Sequence, residues 1–296
     1  MSETEREVDQ ISGVETTGHE WDGIKELDNP MPRWWLWTFY ACCVWGLLYT
    51  IAYPAWPLIS ASTSGLTGWS ARADLDADIA RAEAANADRI AAIEAASVAE
   101  ILADASLRTY ANAAGAAHFK VNCVQCHGAG AAGGIGYPNL NDDAWIWGGS
   151  PEAIYTTLRH GIRWEQDWDT RLGEMPRFGV DGVLSRAEIS DVAWYVVSLS
   201  KPADDAPAAA RGAALYSENC AACHGALGEG IQDLGGPRLS DAIWLYGGSH
   251  EEIVAQIWEP RLGVMPGWLE RLGDRGVKEV SVYVHGLGGG EPSAAE

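Results

Sequence analysis

Two five-residue stretches decide the fold: Cys123-Val124-Gln125-Cys126-His127 and Cys220-Ala221-Ala222-Cys223-His224. Cys-x-x-Cys-His is the attachment signature of a c-type haem, in which two thiols join the porphyrin vinyl groups and the adjacent imidazole reaches the iron. The competing readings of Cys-x-x-Cys are weaker. A structural zinc site needs four protein ligands, and no second Cys pair follows either motif. A thioredoxin-like pair expects alternating strands and helices, which the surrounding sequence does not offer. The expectation is therefore two covalently bound haems c, held by Cys123 and Cys126 and by Cys220 and Cys223, with His127 and His224 as axial ligands.

Outward from these motifs the chain repeats itself. Gly115 and Phe119 precede the first motif as Gly212 and Tyr216 precede the second. Pro138-Asn139-Leu140 matches Pro237-Arg238-Leu239, and Trp145-Ile146-Trp147-Gly148-Gly149-Ser150 matches Trp244-Leu245-Tyr246-Gly247-Gly248-Ser249. Arg171-Leu172-Gly173-Glu174-Met175-Pro176 then matches Arg261-Leu262-Gly263-Val264-Met265-Pro266. Nine residues, Arg159 to Asp167, occur only in the first copy. Each copy closes on an apolar helical segment, 189–199 or 277–287. Copy 1 spans 107–201 and copy 2 spans 202–290, followed by a 291–296 tail.

Thioether is the usual partner of imidazole in electron-carrying c-type haems, where it raises the reduction potential. Only four Met occur in the chain. Met175 and Met265 alone stand at equivalent places, and they are the expected axial ligands. Spacing does not say which Met serves which haem, so crossed ligation between the copies stays open. His160 and His250 do not recur between the copies and read as surface or loop residues; His118 and His285 read as ordinary helix residues. Pro138 and Pro237 are placed to offer a carbonyl to the axial imidazoles. Trp145, Trp147, Trp244 and Tyr246 are expected to wall the haems. Arg171 and Arg261 are either propionate partners or exposed loop residues.

Residues 1–33 are polar and read as an exposed, poorly regular arm. Residues 34–56 are apolar with aromatic ends, long enough to cross a bilayer as one helix. A cleaved signal peptide fits poorly, because the apolar run is too long and an acidic arm precedes it. Lys25 and Arg33 flank the N-terminal side, whereas the first base beyond the span is Arg72. That places the N-terminus in the cytoplasm and the haem domains in the periplasm of a bacterial inner membrane. Cys42 and Cys43, inside the span, read as small apolar residues.

Residues 57–106 form an Ala-rich helical spacer carrying Leu75, Ile79, Ile90, Ile93, Ile101 and Leu102 at loose helical spacing. Its thin stripe suits either a solvated helix or a strut against a partner subunit. The fold class expected is mostly α: one N-terminal transmembrane helix, the spacer and two tandem cytochrome domains. The formal net charge of -21 excludes recognition of nucleic-acid backbones and favours a basic protein partner. Residues 202–296 carry 14 acidic and 6 basic side chains, against 10 and 8 in 107–201.

The order of parts in each copy, helix, motif, Pro loop, Met loop and closing helix, resembles class I cytochrome c. The segment Thr17-Gly18-His19-Glu20-Trp21-Asp22-Gly23-Ile24-Lys25-Glu26-Leu27-Asp28-Asn29-Pro30-Met31-Pro32-Arg33-Trp34-Trp35 resembles the arm preceding the anchor in the dihaem subunit of cbb3-type cytochrome c oxidases. Together the resemblance covers nearly the whole chain. It implies a respiratory complex that reduces oxygen to water and pumps protons, in which this subunit only carries electrons. Its implied neighbours are a catalytic haem-copper subunit, a monohaem cytochrome subunit and a donor cytochrome c. Some family members have two membrane spans, and this sequence has one. A dihaem peroxidase and the cytochrome subunit of a periplasmic dehydrogenase are the alternatives.

Overall fold

The computed structural model describes residues 7–293 and is mostly helical. It divides into two units, one ending at Ala85 and the other beginning at Asn86.

In the first unit the arm is more ordered than its composition suggests. Strands β1 (Thr16–Trp21) and β2 (Ile24–Leu27) pair antiparallel, with Trp21 opposite Ile24. The reversal falls on Asp22 and Gly23, whose φ values of 51° and 84° are what a two-residue hairpin turn of matching twist demands. The poorly regular arm is thus corrected to a hairpin, although most of its side chains are exposed as expected.

Helix α1 (Arg33–Ala52) follows Pro32, which suits a helix entry, and stops before Pro54, which cannot continue one. At about 1.5 Å per residue its 20 residues reach about 30 Å, the thickness of a hydrocarbon core, and none of them is buried. It is the one helix among the described residues long and apolar enough to cross a membrane. The spacer begins with α2 (Ala71–Ala85), on which Leu75 and Ile79 lie exposed.

The second unit opens with α3 (Ala87–Ala95) and α4 (Val98–Ala103), the latter started by a reciprocal Ser97–Glu100 capping box. Ile93 and Ile101 are fully buried against Ala111 and Val282 of the cytochrome region. This end of the apolar stripe therefore leans on the chain's own helices rather than on solvent.

The remaining helices are α5 (Ala105–Asn122), α6 (Val124–His127), α7 (Pro151–His160), α8 (Arg186–Ser198), α9 (Ala206–Asn219), α10 (Ala221–His224), α11 (His250–Trp258) and α12 (Leu269–His285). Equivalent helices start by equivalent chemistry. Ser150 caps α7 and Ser249 caps α11, each hydroxyl accepting from the amide three residues on. Helix α12 bends at Gly273, where φ is +69°.

The packing does not follow the order of the repeats. Helix α5 crosses α12, and α9 crosses α8, so each opening helix meets the closing helix of the other copy. Both crossings are close because a glycine sits at the contact. A Cβ on Gly115 would overlap the Glu279 carbonyl, and one on Gly212 would overlap the Asp191 carbonyl. Phe119 packs at a tilt against Tyr283 at 5.3 Å, and Tyr216 likewise against Tyr195 at 5.0 Å, across the same two crossings. Two lobes result. The first contains α5, α6, α7 and α12, with Phe119, Cys123, Ile154, Leu158, Val277 and Val280 in its core. The second contains α8 to α11, with Ile189, Val192, Tyr216, Cys220, Ile253 and Ile257. The copies at 107–201 and 202–290 are tandem in sequence and exchanged in packing.

Candidate haem sites

In each lobe the opening helix ends on the first Cys of its motif, and the four residues after it make one more helical turn. That turn brings both Cys and the His to one end of the helix. Gly128 and Gly225, at φ of 78° and 80°, then reverse the chain. The chain returns so that the Pro138 carbonyl lies 3.1 Å from His127 Nδ1 and the Pro237 carbonyl 3.0 Å from His224 Nδ1. A carbonyl only accepts, so each Nδ1 carries the proton and each Nε2 keeps a free lone pair for a metal. Burial holds both imidazoles below the usual histidine range, with the Pro carbonyl bond opposing it in part. Both rings are thereby kept neutral, the form that ligates.

The Cys pairs are asymmetric. Cys123 and Cys220 are buried, whereas Cys126 and Cys223 are exposed. Burial first, and the neighbouring Cys second, push the buried thiols up to about 11. A redox-active Cys-x-x-Cys works through a lowered thiol pKa, so this environment opposes the thioredoxin-like reading. Among the described residues neither motif belongs to a cluster of His, Cys and acidic groups able to hold a metal by themselves. The chemistry of the donor set, a paired thiol, a neutral imidazole with a free Nε2 and a nearby thioether inside an apolar wall, fits a haem.

The Met packed against each core comes from the other copy. Met265 packs against the core holding Phe119 and Cys123, and Met175 against the core holding Tyr216 and Cys220. The exchange of closing helices carries each Met loop across with it. Trp145 and Trp244 pack on the same two cores. Trp147 and Tyr246 instead reach between the lobes: Trp147 lies against Gly235, and Tyr246 against Gly136, whose amide donates to the Leu245 carbonyl at 2.8 Å.

Arg171 is half-buried, stacked 5.2 Å from the Trp147 ring, and donates to Thr157 Oγ1 and the Ala153 carbonyl. Arg261 is exposed, 4.7 Å from Tyr246, and donates to the Tyr246 carbonyl. Both guanidinium groups are thus engaged by protein. His160 and His250 are more enclosed than surface loops would leave them: His160 Nδ1 lies 2.9 Å from Asp167, and His250 stacks on Trp194 at 4.1 Å. His118 and His285 also have partners, His118 with Glu279 at 3.2 Å and His285 with the Glu291 carbonyl at 2.8 Å.

Two lobes of this kind, each with an attachment motif, an oriented imidazole and a thioether in one apolar core, define a c-type cytochrome. The family model described as "Cytochrome C oxidase, cbb3-type, subunit III" matches residues 111–196 and again 207–284. The one described as "N-terminal domain of cytochrome oxidase-cbb3, FixP" matches residues 13–60. The chain is 50% identical to the "Cbb3-type cytochrome c oxidase subunit FixP" of Sinorhizobium medicae, covering 98% of this chain and 100% of that protein. It is 54% identical to the "Cbb3-type cytochrome c oxidase subunit CcoP" of Cereibacter sphaeroides, over 93% and 95%. It is 48% identical to the CcoP subunit of Azospirillum brasilense, over 97% and 99%.

The chain belongs to the subunit III family of cbb3-type cytochrome c oxidases. It is an electron-transfer subunit of that oxidase and partners with its other subunits, a reading that displaces the peroxidase and dehydrogenase alternatives.

Proposed function

We propose that the chain holds two covalently bound haems with exchanged axial ligands. Cys123, Cys126 and His127 hold the first haem together with Met265; Cys220, Cys223 and His224 hold the second together with Met175. The observation that carries this is the packing of each Met into the core of the other copy's motif. When bound, the haems supply reversible one-electron exchange at iron. The chain's own part is to orient each imidazole through a Pro carbonyl, enclose the thioether in an apolar wall, and fix the two lobes against each other through Trp147 and Tyr246. Held by two thiols, an imidazole and a thioether, each haem would be supplied with its ligands by the protein and would exchange electrons, so the subunit carries electrons and oxygen reduction belongs to another subunit.

The partners are the catalytic haem-copper subunit, the monohaem cytochrome subunit and a donor cytochrome c. Helix α1 is the single membrane span, with the hairpin on the cytoplasmic side and both lobes in the periplasm. Entry of electrons falls to the second lobe. The charge argument survives the exchange: residues 168–258, which build that lobe, carry 13 acidic and 6 basic side chains, against 11 and 8 in 107–167 and 259–296 together. A basic donor is steered toward such a surface.

The test is Met175→Ala and Met265→Ala in the assembled oxidase, with spectra and potentials resolved by haem. Met265→Ala is expected to remove the Met–iron signature of the haem on Cys123 and Cys126 and to lower its potential, leaving the other haem intact. Loss at the haem of the same copy would sink the exchanged assignment, and loss at neither would sink Met ligation altogether.

A further inference from the structure

The nine residues found only in the first copy, Arg159 to Asp167, lie where the chain leaves the first lobe and crosses to the second. They do more than span a gap. Gly161 ends α7 at φ +73°, and a Cβ there would overlap the Met265 carbonyl, so the turn is closed around the second copy's Met loop. Ile162 N–H donates to the Met265 carbonyl at 2.8 Å, and Met265 N–H donates back to the Ile162 carbonyl at 3.0 Å. Arg163 N–H donates to the Arg171 carbonyl at 2.8 Å, engaging the first copy's Met loop on its other side. The insertion is therefore paired through its backbone with both Met loops.

Its side chain repeats the pattern. Arg163 is half-buried, in the left-handed region at φ 50°. Its Nε donates to the Gly263 carbonyl at 2.7 Å and its Nη1 to the Gly173 carbonyl at 2.6 Å. Gly173 and Gly263 are equivalent residues of the repeated Arg-Leu-Gly-x-Met-Pro motif, each two positions before its Met. One planar guanidinium thus clasps the same point of both loops. A planar fork with several N–H groups can hold two carbonyls in fixed geometry, which an ammonium cannot reproduce, and the cationic donors make both bonds strong.

We infer that Arg163 is a positioning residue for both axial methionines, a single clasp that couples the two iron sites, and that the insertion exists to deliver it at the point where the copies exchange. The inference rests on the exchanged axial reading given above. A cation held against both Met loops also favours the reduced, less positive state of each iron, so its loss and the loosening of the loops act in the same direction on the potentials.

The experiment uses Arg163→Gln and Arg163→Lys in the full chain within the assembled oxidase. Three readouts are followed: the Met–iron spectral signature of each haem, each potential, and backbone hydrogen exchange over 171–176 and 261–266. Arg163→Gln is expected to weaken the Met–iron signature of both haems, lower both potentials and speed exchange in both loops. Arg163→Lys keeps the charge without the fork, so it should retain more of the potentials than of the loop protection. Changes confined to one haem, or none in either variant, overturn the clasp. Absence of a Met–iron signature in the unmodified protein overturns it together with the axial assignment, and is distinguishable because no variant is needed to see it. If the Gln variant fails to assemble, the Lys variant decides: loops as protected as in the unmodified chain overturn the proposal.

Discussion

The two lobes share one plan and differ in what surrounds it. In the first, α12 is held from outside: Lys278, nearly buried, donates to the Glu94 carbonyl at 2.8 Å and so ties the closing helix to the end of α3. Asp274 on the same helix accepts from Tyr155 and pairs with Lys278 at 3.0 Å, with Arg159 close by. In the second, α8 is held within the lobe. Arg211 makes a two-bond pair with Asp191 at 2.6 and 2.7 Å, His250 stacks on Trp194, and the Arg186 guanidinium lies 4.3 Å from the Trp258 ring. The first lobe is thus braced by the spacer, while the second is self-contained and more acidic.

The shared plan predicts equal losses. Phe119 and Tyr216 are equivalent, and each is about 1% exposed at the centre of its lobe. Phe119→Ala and Tyr216→Ala are each expected to cost about 3–5 kcal/mol, the range for truncating a core aromatic. Thermal unfolding followed at each haem checks this. A loss in one lobe much larger than in the other would mean the cores are not equivalent.

Gly115→Ala and Gly212→Ala test the exchange itself. Each new methyl meets a closing-helix carbonyl of the other copy, and overpacking of this kind costs about 1–3 kcal/mol. Gly115→Ala should disturb the environments of Tyr283 and Glu279, and Gly212→Ala those of Tyr195 and Asp191, as chemical-shift or exchange mapping would show. Disturbance confined to the closing helix of the same copy would contradict the exchanged packing.

Bracing predicts an unequal loss. Lys278→Met keeps the stem and removes the donor, leaving the carbonyls of Ile93 and Glu94 without it. Leaving buried acceptors unsatisfied costs about 1–3 kcal/mol. The effect should appear as faster hydrogen exchange in α3 and α12, with α8 and α9 unmoved.

Much of this was legible in the sequence, and the reasons are local. A motif such as Cys123 to His127 carries its chemistry in five residues, and the Pro138 and Pro237 carbonyls stand where a short return loop must bring them. The 20-residue span is set by composition and by its flanking prolines. The hairpin is not anticipated by a reading of the arm as irregular, although Trp21-Asp22-Gly23-Ile24 holds its signal: Asp22-Gly23 is a two-residue turn, and Gly23 lets the chain reverse. Crossed Met ligation is an open possibility in the sequence, but the exchange of closing helices is not marked there. Ile189 and Val277 face a core with the same period whichever opening helix they meet, so periodicity cannot choose between them. Only the unmatched nine residues marked the place where the copies part, and their length does not reveal that Ile162 and Arg163 stitch the two Met loops together. The spacer stripe had the same ambiguity: Ile93 and Ile101 would look alike against a partner or against α12.

The finest difference between the lobes is electrostatic, at the paired positions Glu279 and Asp191. The Asp191 carboxyl, partly accessible, faces Arg211. Glu279 is buried, facing His118 from α5 at 3.2 Å and Arg275 from α12 at 3.8 Å. Burial raises its pKa above the usual glutamate range, and the pull of Arg275 and His118 in the other direction does not fully cancel this. The folded chain therefore keeps a proton that the unfolded chain has already released. The stability this contributes is present in full below the ordinary glutamate range and is lost as pH rises through the higher, folded value. Thermal midpoints of the first lobe are expected to fall over that interval in the unmodified protein, and Glu279→Gln should flatten that part of the curve. Identical pH profiles for the two proteins would show that another group titrates there, and that the two closing helices differ in their bracing but not in their charge.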